Sequence, residues 1–108
     1  MIPEKIRIGP YDYAVKKING PMVDGGNSIV GRVSYNLHTI EIKDTDEYSE
    51  QSKEQYLWHE MVHAILSARD IKQLEEDDLD SFATGLYQLM KDNPFPLPGQ
   101  DWAVKEAV

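Results

Sequence analysis

Ser52-Lys53-Glu54-Gln55-Tyr56-Leu57-Trp58-His59-Glu60-Met61-Val62-His63-Ala64-Ile65-Leu66-Ser67-Ala68 is the stretch on which the fold turns. Leu57, Met61, Ala64, Ile65 and Ala68 recur at three- and four-residue spacing, which is the core stripe of an amphipathic helix. Ser52 to Gln55 fits a capping box, although a start near Ser49 also fits, so the helix is expected over residues 50–68. His59 and His63 lie one turn apart on one face of that helix, beside the stripe. Two imidazoles so placed can reach a single Zn²⁺. Glu60, one residue after the first of them, stands where it can take a proton from a metal-bound water. Trp58 and Met61 read as core residues rather than substrate contacts.

Downstream, a second helix is expected over about 74–91. Its acids 75–78 fall in the first turn, where the helix dipole favours negative charge. Leu79, Phe82, Ala83, Leu86 and Leu89 or Met90 would form its buried stripe. After it, residues 93–108 hold three prolines in five positions, at 94, 96 and 98, and read as a Pro-rich tail. That tail is either a connector or a segment that folds back over the cleft.

The N-terminal half, residues 1–48, reads as strands and loops. Lys5-Ile6-Arg7-Ile8 alternates and is broken by Gly9-Pro10. Tyr11 to Lys17 alternates again, with Tyr11, Tyr13 and Val15 on one face. Asn19-Gly20-Pro21 and Asp24-Gly25-Gly26-Asn27 are turn signals, and the span between them reads as loop. Ile29–Ser34 and His38–Lys43 are two further strands, the second turning Ile40 and Ile42 to the core. Together these elements predict one α+β domain over residues 1–108, with a small twisted sheet of three to four strands packed on the two helices.

The composition excludes several classes. The chain of 108 residues has no cysteine, so disulfides and thiolate metal sites are ruled out. Its net charge of −8 argues against nucleic acid as a partner. No apolar run approaches the ~20 residues that cross a bilayer, and no signal peptide is apparent. A monomeric cytoplasmic protein without a membrane partner is the expectation.

A catalytic zinc takes three protein ligands and keeps one position open. His59 and His63 supply two, and the third is sought among His38, Glu75, Glu76, Asp77, Asp78 and Asp80. For three of them there is a plainer role: a first-turn acid for Glu76, a solvated helix acid for Asp80, a surface strand residue for His38. Glu76 and Asp80 share one helix face, so Asp80 can accept a hydrogen bond from the free ring nitrogen of a ligating histidine. Tyr35, His38, Tyr56 and Tyr87 are the available donors for a developing oxyanion.

Trp58-His59-Glu60-Met61-Val62-His63-Ala64-Ile65-Leu66, followed by Glu76-x-x-Leu79-Asp80-x-Phe82-Ala83-x-x-Leu86, resembles the gluzincin metallopeptidases. It looks most like their small, phage-associated ImmA/IrrE-like branch, the minigluzincins. The resemblance covers residues 55–90 by motif, and residues 1–50 only by a similar order of strands. Val62 stands where many members have Gly, and Leu79-Asp80 where they have Ala-Asn. The resemblance implies a zincin-like fold, with an active-site helix and a glutamate helix. It also implies one zinc ion per chain held by His59, His63 and Glu76, Glu60 as general base and acid, and Asp80 as partner of a zinc-bound histidine. The activity implied is hydrolysis of a peptide or protein substrate. Two alternatives stand beside it: a non-catalytic, zinc-stabilised binding protein of phage or bacterial origin, and a latent protease restrained by its tail.

Overall fold

A computed structural model of the chain describes residues 2–93. The expectations for the Pro-rich tail fall on residues outside that range, apart from Asn93. Strand β1 (Lys5–Ile8) pairs antiparallel with β2 (Tyr11–Ile18) across a turn in which Gly9 has a φ of 59°. A side chain there would be strained by the backbone alone, and its Cβ would meet Cβ of Ala68 at 3.1 Å. The turn is thereby tucked against the end of the first helix.

The span expected to be a loop contains a short hairpin. Strands β3 (Val23–Asp24) and β4 (Asn27–Ser28) pair around Gly25-Gly26, with φ of 58° and 81°. Both central residues need positive φ in this tight turn, and two glycines supply it without steric cost. The third expected strand is shorter than its apolar pattern: β5 covers Gly31–Ser34. Ile29 and Val30 instead step between the hairpin and the sheet. The Ile29 amide donates to the Met22 carbonyl at 3.0 Å, and the Val30 carbonyl accepts from the Lys43 amide at 2.9 Å. Strand β6 (Thr39–Lys43) starts one residue later than expected, because His38 has a φ of 50° and belongs to the turn.

The main sheet has four strands in the order β1-β2-β6-β5, with β2 and β6 parallel and the other pairs antiparallel. Strand β5 is therefore an edge among the described residues. Ile40 and Ile42 are fully buried on β6, beside Tyr13 and Val15 of β2. Burial of each isoleucine contributes about 1.5–3 kcal/mol.

Helix α1 spans Glu50–Ala68 and α2 spans Glu76–Asp92. The cap of α1 is Ser49, whose hydroxyl accepts from the Ser52 amide at 3.1 Å, so the earlier of the two possible starts is the one formed. At its other end Asp70 takes a φ of 55°, and the Ile71 amide donates to the Leu66 carbonyl at 2.9 Å. That left-handed ending turns the chain back along α1 toward α2.

The two helices stack in order on the sheet: α1 packs on the strands, and among the described elements α2 packs on α1 alone. Helix α1 thus has two buried sides. Leu57 and Ala64, with Met61 and Ala68, join the sheet core; Val62, with Trp58 and Leu66, meets Leu79, Ala83 and Leu86 of α2. This layering corrects both expected stripes. Ile65 falls between the two faces of α1 and is exposed. On α2, which among the described elements covers α1 only, Phe82, Leu89 and Met90 are exposed and Tyr87 is buried instead. Among the described residues no helix is long and apolar enough to cross a membrane.

Candidate metal centre

The side of α1 that carries His59 and His63 opens into a cleft of about 540 Å³ whose far wall is the edge strand β5. The two rings are 5.1 Å apart, centroid to centroid. Each Nε2 faces the Glu76 carboxylate: His59 lies 3.1 Å from Oε2, and His63 lies 3.0 Å from Oε1. The first turn of α2 brings Glu76 there because α2 packs along α1 through Leu79 and Val62. Asp80, one turn further along, places Oδ1 3.0 Å from His59 Nδ1.

His63 Nδ1 is held by a residue for which the sequence offered no signal. Gln73, in the connection between the helices, places Oε1 2.8 Å from that nitrogen and donates from Nε2 to the His63 carbonyl at 3.1 Å. Gln73 belongs to no periodic pattern, and only the reversal of the chain after Asp70 sets it alongside His63.

These contacts determine what the centre can hold. Asp80 accepts and does not donate, so His59 Nδ1 carries its hydrogen, which in the neutral ring leaves Nε2 with the lone pair. The same holds for His63 opposite Gln73 Oε1. With both rings neutral, two imidazole lone pairs converge on two carboxylate oxygens, and a cation between them would relieve that repulsion. The ligand atoms of His59, His63 and Glu76 all lie within 4.8 Å of one another, a spacing that one metal ion can span. Glu75 ends its service as the residue before α2, and neither it, Asp77 nor Asp78 belongs to this group.

Glu60 is buried beside the histidines. Burial pushes its carboxyl above the usual carboxylate range, His59 and His63 oppose that shift, and Glu76 adds to it. Of the four candidate donors, Tyr35 and Tyr56 line the cleft. Burial raises the pKa of both, aided for Tyr35 by Glu60 and for Tyr56 by Tyr48. His38 lies elsewhere, stacked on Tyr11 at 3.9 Å and beside Tyr13. Tyr87 also lies away from the cleft, donating to Glu54 at 2.6 Å and accepting from Lys91 at 3.2 Å. Comparison with family models, with curated proteins and with solved structures gave no match in any of the three. The functional reading therefore rests on the residues and their geometry.

Proposed function

We propose that this chain is a zinc-dependent endopeptidase of gluzincin type, close to the small ImmA/IrrE-like branch, with His59, His63 and Glu76 as metal ligands. The observation that carries the reading is the convergence of both Nε2 atoms on Glu76, with each Nδ1 engaged and a buried Glu60 alongside. Two imidazoles and a carboxylate are a donor set suited to zinc. Zinc would supply Lewis acidity there and bring the pKa of a bound water down to about 7.

The chain's own groups supply the rest. Glu60 accepts the proton of the attacking water and returns it to the leaving amine. A carboxyl whose proton affinity is raised by burial suits that exchange better than a solvated one. The outer side of β5, unpaired among the described residues, offers main-chain donors and acceptors to an extended peptide, which would lie across the cleft by strand addition. Tyr35 and Tyr56 are the phenols within the cleft that can donate to the oxyanion. A structural metal site would have no use for Glu60, which favours the enzyme over a metal-stabilised binding protein.

Metal analysis of the purified protein tests the ligand set. Wild type and Glu75→Ala should each hold one equivalent of zinc, while His63→Ala and Glu76→Ala should hold none. Glu60→Gln should keep its zinc and lose cleavage of a proteome-derived peptide library. Zinc retained in both His63→Ala and Glu76→Ala would end the proposal. Zinc without cleavage by wild type would leave the binding-protein reading in its place.

A further inference from the structure

We propose that Gln73 is a positioning residue that holds His63 in the Nδ1–H tautomer, the form whose Nε2 is free to ligate; the inference rests on the metal-site reading above. Gln73 uses both ends of its amide on one residue. Its Nε2 donates to the His63 carbonyl at 3.1 Å, and its Oε1 lies 2.8 Å from His63 Nδ1. A carbonyl oxygen can only accept, so the NH₂ end of the amide must face it. The Oε1 end is then committed to the ring, and an amide oxygen can only accept as well. His63 Nδ1 is therefore a donor, and in the neutral ring the lone pair falls on Nε2, 3.0 Å from Glu76.

His59 reaches the same state by a different route. Asp80 is a carboxylate and has no donor with which to grip the backbone, so it fixes the His59 ring through charge and one contact. Gln73 fixes the His63 ring with a neutral group and secures itself to α1 by a second bond. The centre already gathers Glu60, Glu76 and Asp80 in one cleft. A neutral partner for the second histidine orients it without adding a fourth negative charge. The left-handed Asp70 and the bond from Ile71 to Leu66 turn the connection back along the helix, which is what puts residue 73 beside residue 63. Gln73 is itself exposed, so its replacement removes the clasp without opening the core.

The test is made on the metal-free protein, where the tautomer is read without recourse to activity. Long-range ¹H–¹⁵N correlation of ¹⁵N-histidine protein at about pH 8.5, where imidazole is ordinarily neutral, distinguishes the two ring forms. Wild type should show His63 as Nδ1–H. Gln73→Leu should move His63 toward the Nε2–H form, leave His59 unchanged, and weaken zinc binding by roughly 10- to 100-fold in a chelator competition. Gln73→Glu keeps an acceptor opposite Nδ1 and should restore the tautomer and most of the affinity. An Nε2–H form in wild type, or a Gln73→Leu protein with His63 still Nδ1–H and zinc affinity intact, would overturn the proposal. A wild type that binds zinc through an oriented His63 but cleaves nothing would leave this inference standing and remove the peptidase reading instead.

Discussion

Gly31 faces Glu60: a Cβ at residue 31 would lie 3.3 Å from both Cγ and Oε2 of Glu60. The same atom would meet Cδ1 of Ile42 at 3.3 Å, so it has core on one side and the proposed base on the other. The missing side chain is what lets the edge strand run close beside the Glu60 carboxylate. Gly31→Ala should displace that carboxylate by a few tenths of an ångström and lower turnover of a peptide substrate by roughly tenfold. Zinc stoichiometry should not change. Steady-state kinetics beside metal analysis checks this, and an alanine variant with wild-type kcat would show that Gly31 does not govern where Glu60 sits.

Asp80 reaches His59 with a charge, and its loss should be felt in the metal affinity before the fold. Asp80→Ala should weaken zinc binding by roughly 10- to 100-fold. Asp80→Asn retains an oxygen that can accept from Nδ1–H and should cost less. Competition titrations with a zinc chelator rank the three proteins, and equal affinities would remove Asp80 from the centre.

Leu79 has none of its surface exposed and joins Val62 in the contact between the helices. Leu79→Ala should destabilise the fold by about 2–5 kcal/mol through lost burial and the cavity left behind. Urea unfolding in the presence of chelator measures it free of any contribution from bound metal. Because Leu79 also fixes the helix that carries Glu76, added zinc should raise the midpoint of the variant less than that of wild type.

The start of α1 is tied to the end of β6 by Lys53 and Asp44, 2.7 Å apart. The hydrogen bond from Lys53 holds the Asp44 carboxyl below its ordinary value of 3.8 against a smaller opposing effect of burial. A carboxylate whose folded pKa is lowered contributes stability above the ordinary value and loses it as pH falls through the folded one. Lys53 is shifted upward by the same bond, so its share is present below 10.5 and fades as pH rises beyond that. Lys53→Met should therefore reduce stability through the neutral range. Its deficit against wild type should shrink below about pH 4 and again in strong alkali. A deficit independent of pH would mean that the lysine acts through its packing and not through Asp44.

The parts of this molecule that were legible in advance are those set by local repeats. Alternation put Ile40 and Ile42 on the buried face of β6, and the spacing of His59 and His63 put both rings on one side of α1. Where competing local signals were equally good, sequence reading was less exact. Ser49 and Ser52 both suit a cap, and the bond from the Ser52 amide to the Ser49 hydroxyl decides between them. Apolar pattern also overstated the cores: Ile65, Phe82 and Leu89 have the right spacing but are exposed.

The sequence by itself determined that two imidazoles and a carboxylic acid would share one turn of a helix, because helical geometry is rigid over five residues and needs no partner to be read. It also narrowed the third member of the cluster to His38 and the acids at 75–78 and 80. Only the tertiary structure decided that Glu76 meets both rings, that Gln73 clasps His63, and that Gly31 lies against Glu60. Each of these depends on how far α2 slides along α1 and where β5 crosses the cleft. Those placements follow from packing among residues distant in the chain, and no local pattern records them.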